Sequence, residues 1–167
     1  PLDEVIEPRA TQEEMTNFIE TELTESLKGL PTRTTQFGRF DKGLAYTILM
    51  KYYMHEKNWA KAEECGRELL KAEYGYGLMD RYADIFTLEN EGNKEIIFAC
   101  TEERGTNLQL WHDHALPGNY PTKNASIQKW DGYKVPWPFY RTFEEGDDRL
   151  SVLVGEYVGT DGVLFNE

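Results

Sequence analysis

The chain has 167 residues, of which 40% are hydrophobic and 13% aromatic, and its 30 acidic against 18 basic side chains give a formal net charge of −12 at pH 7. That length predicts one domain, residues 1–167, with a core large enough to fold without disulfide bonds. The negative charge argues against nucleic-acid binding, because phosphate backbones require a basic face, and equally against adsorption to an anionic membrane surface.

The first predicted element is a helix that begins after Thr11. Thr11 and Glu14 form a T-x-x-E capping box, in which each residue supplies a backbone partner that the helix start lacks. Gly29 and Pro31 are typical of a helix end. The apolar face of this helix comprises Met15, Phe18, Ile19, Leu23, Leu27 and Leu30.

Residues 38–70 predict two helices back to back, and the rest of the chain is expected to pack around them. Asp41 and Asn58 are N-cap residues, whose side-chain oxygens accept from unpaired amides at a helix start. The first helix is apolar around most of its circumference, so it needs cover on several sides. The second has one apolar stripe opposite a charged face, so it lies at the surface. Gly66 costs about 1 kcal/mol of helix propensity relative to alanine and indicates close approach of the neighbouring helix.

Four residues of this pair occupy positions typical of a tetratricopeptide helix pair, namely Leu49, Tyr53, Trp59 and Ala62. Met50 departs from that pattern, which prefers a small residue there. No second copy follows at a period of about 34 residues, and stacked repeats are needed to close a solenoid core. The sequence therefore predicts a mainly helical fold, built on a single tetratricopeptide-like hairpin with a few short strands and long loops.

Shorter elements are predicted after the helical pair. Residues 81–86 indicate a helical turn with Tyr82, Ile85 and Phe86 pointing inward. Residues 95–101 are apolar enough for a strand buried on both faces. Residues 102–135 lack periodicity and predict a long loop, a kind of segment that is usually functional when it lies within a compact domain.

The last part of the chain predicts a helix and a hairpin. Pro136 is expected to begin the helix and Gly146 to end it, with Trp137, Tyr140 and Phe143 in the core. Apolar residues from 150 to 158 and from 163 to 165 indicate two strands joined by a turn at residues 159–162.

The long loop carries the candidate binding residues. Exposed tryptophan and tyrosine rings can desolvate the C–H face of a sugar ring, while nearby amides and charges bind its hydroxyl groups. The alternative for each ring is that it packs the loop onto the helices. The candidate carbohydrate-binding residues are Trp111, Tyr120, Trp130, Tyr133, His112 and Asn107.

The sequence offers little for catalysis or metal binding. His112 and His114 flank Asp113, but zinc sites usually take three or four protein ligands, so no metal site is predicted. Adjacent carboxylates such as Glu144 and Glu145 are expected by chance among 30 acidic residues. No phosphate loop, nucleophile elbow or Cys-His constellation occurs. The chain is therefore predicted to use no cofactor and not to be an enzyme.

Two cysteines, Cys65 and Cys100, do not make a disulfide framework. Cys65 lies on the apolar stripe of a predicted helix, and Cys100 ends the apolar segment 95–101. Both are therefore predicted to be buried free thiols.

Several short motifs, in collinear order over most of the chain, resemble the SusD/RagB family of glycan-binding outer-membrane lipoproteins of Bacteroidetes. Each motif alone is degenerate, and the combination is specific. The motifs lie at residues 8–14, Phe18-Ile19, Gly38-Arg39, Lys42-Gly43, Asn58-Trp59, 82–86, 93–98 and 143–149.

The resemblance implies a SusD-like fold and non-enzymatic binding of an oligosaccharide or polysaccharide by loop aromatics, with delivery of the glycan to a TonB-dependent transporter. It implies a surface-exposed location at the cell outer membrane, with membrane attachment only through a lipid anchor that this chain does not contain. It also implies that residues 1–167 are an internal fragment, because family members are much longer. The alternative is a protein-interaction module, whose tetratricopeptide-like hairpin docks the transporter or another partner.

Overall fold

The computed structural model describes residues 8–102, 111–124 and 126–166, and for His112 it describes the backbone alone. The chain falls into two compact units. The helical unit comprises Pro1–Leu78 and Lys94–Cys100, and the aromatic unit comprises Met79–Asn93 and Thr101–Glu167. The expectation of one domain over residues 1–167 stays a prediction.

Three helices of the helical unit are α1 (Gln12–Gly29), α2 (Lys42–His55) and α3 (Trp59–Leu69). A single 3₁₀ turn, Ala72–Tyr74, follows α3 and ends at Gly75, whose φ of 65° lies in the left-handed region that glycine adopts at little cost. The expected mainly helical fold is confirmed, since the strands of the described residues amount to one two-stranded sheet.

The predicted N-caps are present. Thr11 Oγ1 accepts from the Glu14 amide at 3.2 Å, and Glu14 Oε2 accepts from the Thr11 amide at 2.8 Å, which completes the capping box of α1. These hydrogen bonds from Thr11 hold the pKa of the Glu14 carboxyl below its usual value. Asn58 Oδ1 accepts from the Lys61 amide at 3.3 Å at the start of α3. Local sequence therefore sets where the helices begin.

Asp41 caps α2 and also fastens the connector that precedes it. Its carboxylate is buried, with Oδ1 accepting from the Leu44 amide at 3.0 Å and Oδ2 accepting from the Thr34 amide at 3.2 Å. Nearby, the Lys42 amide donates to the Pro31 carbonyl at 2.9 Å. A buried carboxylate is tolerated only when such donors surround it, so Asp41 ties the loop after α1 to the first turn of α2.

The core of the helical unit lies between α2 and α3, where four buried residues form one cluster. Leu23 and Leu27 of α1 pack against that cluster, so α1 supplies part of the cover that α2 was predicted to need. No described residue of α1 is fully buried, and Ile48 and Met54 of α2 remain exposed, so the cover within this unit is partial. The cluster consists of Leu49, Tyr53, Ala62 and Cys65.

Two helical glycines differ in the space around them. A Cβ added at Gly66 would lie 3.5 Å from Met50 Sδ, which is an ordinary contact distance. The neighbouring helix therefore approaches Gly66, as the sequence indicates, but leaves room for a methyl group. A Cβ added at Gly43 would instead collide with the hydroxyl of Tyr76. That ring is fixed by stacking on Tyr74, so α2 tolerates no side chain at position 43.

The strand predicted at residues 95–101 is wrong, because this segment has irregular backbone. It is attached to the helical unit by other means: the Gly77 amide donates to the Lys94 carbonyl at 3.1 Å, and the Phe98 ring lies edge-on to Phe40 at 5.6 Å. No strand of the helical unit's described residues lies beside it to form a ladder. An apolar run of this length indicates burial but does not by itself distinguish a strand from other structure.

The thiol prediction is half right. Cys65 is buried in the core cluster, as expected, and both cysteines are free. Cys100 is exposed, because the strand that was expected to bury it does not form. Burial raises the pKa of the Cys65 thiol, chiefly by removing water from its charged form.

Several short elements make up the aromatic unit. They are 3₁₀ turns at Tyr82–Phe86, Leu88–Asn90 and Asp148–Val152, helices α4 (Trp111–Ala115) and α5 (Trp137–Tyr140), and strands β1 (Glu156–Val158) and β2 (Leu164–Asn166). The turn at Tyr82–Phe86 is confirmed, but the Phe86 ring is exposed instead of pointing inward. The Tyr82 amide donates to Asp148 Oδ2 at 3.1 Å and so joins the first of these turns to the last.

The terminal hairpin forms as predicted, with β1 and β2 antiparallel and Tyr157 opposite Phe165. Gly162, with a φ of 79°, supplies the left-handed residue of the turn. The first strand begins only at Glu156, because residues 148–152 form a 3₁₀ turn. The helix predicted from Pro136 to Gly146 is shorter than expected, since α5 ends at Tyr140.

The described helices include none with the length and hydropathy required to cross a bilayer.

We expect Gly66→Ala to raise the free energy of unfolding by about 1 kcal/mol, because alanine gains helix propensity and the added methyl group fits beside Met50. Gly43→Ala is the matched control and should destabilise the protein, because its methyl group meets the Tyr76 hydroxyl. Urea denaturation followed by far-UV circular dichroism measures both. A destabilised Gly66→Ala variant would show that the helices pack more closely than the structure has them.

We also expect iodoacetamide to alkylate Cys100 roughly tenfold faster than Cys65 in the native protein, since the buried thiol has both a raised pKa and restricted access. Peptide mass spectrometry after timed quenching at mildly alkaline pH measures the two rates. In denaturant the difference should disappear, and its persistence there would mean that burial is not the cause.

Candidate functional site

The aromatic unit contains a cleft of about 410 Å³. Aliphatic side chains and backbone from residues 115–116 and 153–155 form part of its wall. Lys134 is the one charged residue among the described residues that line it. The aromatic residues of the wall are Tyr120, Tyr133, Trp137, Tyr140 and Phe165.

Helix α5 supplies one aromatic edge of the cleft. Pro136 precedes its first turn with φ near −70°, a value that the proline ring itself favours. Trp137 and Tyr140 are three residues apart and so share a face of that turn, where their rings meet edge to face with centroids 5.4 Å apart. One helical turn therefore presents two large rings to the same cleft.

The terminal hairpin supplies other aromatic contacts of the cleft. Phe165 on β2 stacks on Tyr157 of β1, at 5.0 Å between centroids, and Tyr157 in turn lies 4.9 Å from Tyr120. The Tyr157 hydroxyl donates to Asn119 Oδ1 at 2.7 Å, and the Asn119 carbonyl accepts from the Thr160 amide at 2.9 Å. These contacts fix Tyr120 and Phe165 by their neighbours and leave the cleft beside them open.

A second group of rings lies at the surface of the same unit, and we call Trp111, His114, Trp130 and Tyr133 the aromatic platform. Trp111 stacks on Tyr133 with centroids 5.0 Å apart and an angle of 22° between the planes. His114 lies 4.5 Å from Trp130 and 5.4 Å from Tyr133. Trp111, Trp130 and Tyr133 are 63%, 45% and 54% exposed, so each ring keeps surface that a ligand can reach even though Trp111 and Tyr133 cover part of each other.

Backbone hydrogen bonds hold the platform together. The His114 carbonyl accepts from the amides of Gly132 and Tyr133 at 2.7 and 3.1 Å, and the Asp113 carbonyl accepts from the Trp130 amide at 2.7 Å. A Cβ at position 132 would approach the His114 carbonyl oxygen to 3.3 Å, which is tight. Glycine therefore allows the two segments to approach closely enough for Trp111 and Tyr133 to stack.

The structure separates the predicted binding residues into two groups. Tyr120 and Tyr133 line the cleft, whereas Trp111 and Trp130 belong to the platform, and Tyr133 belongs to both. Asn107 lies outside the described residues, and so does the side chain of His112. Four of the six predicted residues are thus placed, in adjoining parts of one unit.

Two residues of the cleft were assigned to the core by sequence reasoning, and that prediction is wrong. Trp137 and Tyr140 are 51% and 39% exposed, while Phe143 is half-buried beneath the Arg149 guanidinium, 5.0 Å from its ring centroid. Their three-residue spacing places Trp137 and Tyr140 on one face of α5. The sequence carries no signal for which side of so short a helix faces solvent.

The polar chemistry near the cleft is sparse. Lys134 Nζ lies 3.2 Å from Asp131 Oδ2, and no carboxylate is among the described residues that line the cleft. In the described ranges no three His, Cys, Asp or Glu side chains are grouped as a metal site would need. Glu144 and Glu145 are both exposed. The described lining suits stacking and hydrogen bonding.

No protein-family model and no curated protein matches the chain. Among solved structures, the chain is similar to a SusD-like protein from Bacteroides fragilis, with a TM-score of 0.57 and 24% sequence identity. The similarity covers 67% of this chain. The matched region has a SusD-like fold. The chain spans 23% of the length of that SusD-like protein. The fold that the sequence motifs implied is therefore confirmed.

All four tryptophans of the chain, Trp59, Trp111, Trp130 and Trp137, are exposed. We therefore expect the fluorescence emission of the native protein to lie close to that of tryptophan in water, with efficient quenching by acrylamide. A Stern–Volmer titration of the native and the urea-unfolded protein measures this. A blue-shifted and poorly quenched native spectrum would contradict the open platform and cleft.

Proposed function

We propose that this chain binds an oligosaccharide, without chemical change to it, in the cleft of the aromatic unit. The observation that carries the proposal is a cleft walled by five aromatic rings, with no carboxylate among the described residues that line it. Sugar rings combine an apolar C–H face with a polar edge, so they suit walls of this composition.

The binding mechanism follows from the composition of the walls. A pyranose ring would lay its C–H face on Trp137, Tyr140 or Tyr120 and remove that apolar surface from water. The Lys134 ammonium and the tyrosine hydroxyl groups would then donate to the sugar hydroxyls. Because the rings already contact one another or their neighbours in the structure, little side-chain entropy remains to be lost on binding.

The platform extends the same surface beyond the cleft. Tyr133 lines the cleft on one side and stacks on Trp111 on the other, so a chain of sugars can pass from one to the other. The Trp130 indole Nε1 donates a 3.0 Å hydrogen bond to Gln128 Oε1, which orients the ring. We therefore assign the predicted residues Trp111 and Trp130 to outer sugar positions and Tyr120 and Tyr133 to the inner ones.

The SusD-like fold and the sequence motifs support a biological setting for this activity. Proteins of the SusD/RagB family take up glycans at the bacterial surface, and we propose the same role here. In this proposal the protein of which this chain is part lies at the outer membrane of a Bacteroidetes cell, attached through a lipid anchor. It captures the glycan and delivers it to a TonB-dependent transporter.

A second candidate function is protein docking through the helical unit. Exposed apolar side chains on α1 and α2 favour it, since Met15, Phe18, Ile48 and Met54 all remain accessible. The transporter is one partner that such a surface would serve. Co-purification of the two proteins, with Phe18→Ser as the test variant, separates this function from glycan binding, because the substitution leaves the cleft intact.

The test of glycan binding is isothermal titration with neutral and acidic hexasaccharides. We expect at least one to bind, and Trp137→Ala or Tyr120→Ala to weaken its binding roughly tenfold, because each removes an apolar face of the cleft. Tyr133→Ala should affect the cleft and the platform together.

Trp59→Ala is the matched control, because Trp59 is also an exposed tryptophan but lies on α3 of the helical unit. Its affinity should equal that of the wild-type protein. Binding that survives both cleft variants would place the sugar elsewhere, and failure of every hexasaccharide to bind would refute the proposed function. Circular dichroism verifies that each variant is folded.

A further inference from the structure

The lining of the cleft differs in charge from the protein as a whole. Its described lining is uncharged except for Lys134, and the chain as a whole carries a net charge of −12. An isolated lysine in such a cleft would favour ligands with carboxylate or sulfate groups. The net charge of Lys134 and its neighbours should therefore set the relative affinity of the cleft for neutral and acidic glycans.

Asp131 lies beside that lysine and is fixed there by the backbone. Its φ of 54° is left-handed, and its amide donates to the Leu116 carbonyl at 3.0 Å. Lys134 follows three residues later, with Nζ 3.2 Å from Asp131 Oδ2. Leu116 is itself part of the cleft wall, so the hydrogen bond that shapes this turn is anchored in the cleft.

We propose that Asp131 is a specificity-determining residue, which neutralises Lys134 and so keeps the cleft from favouring acidic over neutral saccharides. This inference rests on the proposed glycan-binding function. An ammonium group has three donors, so Lys134 can contact Asp131 and still donate to a sugar hydroxyl. A sugar carboxylate at the same place would meet the negative charge of Asp131 as well as the positive charge of Lys134.

The expected size of the effect comes from the local charge. Two like charges about 4 Å apart in a watery environment reduce affinity roughly fivefold. Salt screens charges separated by more than about 10 Å at an ionic strength of about 0.1 M. Because Asp131 contacts Lys134 directly, removing its charge should change the preference between neutral and acidic ligands at physiological ionic strength.

The experiment compares hexasaccharides of neutral sugars with hexasaccharides of uronic acids by isothermal titration. In the wild-type protein the ratio of its best neutral to its best acidic affinity should be about one or higher, because the charges of Asp131 and Lys134 offset each other. Asp131→Asn should reduce that ratio about fivefold by strengthening acidic binding, while its affinity for the neutral hexasaccharide stays unchanged. Asparagine suits the test because it tolerates the left-handed backbone at position 131 as well as aspartate does.

Glu145→Gln is the control variant, because it removes one exposed negative charge at a residue that does not line the cleft. Its ratio of neutral to acidic affinity should equal that of the wild-type protein. An acidic hexasaccharide that binds wild-type protein much more tightly than the best neutral one would overturn the inference and leave glycan binding in place. An unchanged ratio in Asp131→Asn would also overturn it, and loss of all binding to wild-type protein would refute the proposed function itself.

Discussion

The carbonyl oxygen of His114 accepts hydrogen bonds from two consecutive amides, and the candidate site depends on that arrangement. Those amides belong to Gly132 and Tyr133, so a segment with no regular secondary structure is held against α4. Large aromatic rings in water tend to collapse onto one another or onto the core. Here the backbone fixes Tyr133 between Trp111 and the cleft, and the exposed rings keep their positions without being buried.

The two units of the chain use different means to hold their side chains. In the helical unit, capped helices place Leu49, Tyr53 and Ala62 in a common core, and burial of apolar surface supplies most of the stabilisation. In the aromatic unit, rings contact other rings, and backbone hydrogen bonds connect short segments. The first arrangement maximises burial, whereas the second leaves apolar surface accessible for a ligand.

The sequence was most informative where structure is decided by near neighbours. The helix caps were predictable because the hydrogen bonds that form them span only three residues of the chain, as at Thr11, Asp41 and Asn58. The turn of the terminal hairpin was predictable because it too is a short local segment. The fold class was predicted for the same reason. The loop aromatics were candidate binding residues because of their chemical composition, and three of them, Trp111, Trp130 and Tyr133, are exposed in the structure.

Errors arose where the outcome depends on distant parts of the chain. Residues 95–101 are apolar enough for a strand, but a strand requires a partner that no local pattern reveals. Trp137 and Tyr140 were assigned to the core because a stripe of rings is usually buried, and only tertiary packing decides which way one helical turn faces. The prediction that Cys100 is buried was wrong for the first of these reasons, because it depended on the strand at residues 95–101.

The terminal hairpin gives the cleft an energetic asymmetry. A two-stranded hairpin by itself is marginally stable in water, so the wall that carries Phe165 depends on Tyr157 and its contacts with Asn119 and Tyr120. Local opening of that wall is therefore less costly than opening of the helical core. A ligand that contacted both Phe165 and the rings of α5 would favour the folded hairpin by its binding free energy. Binding in the cleft would then be thermodynamically linked to local order in the hairpin.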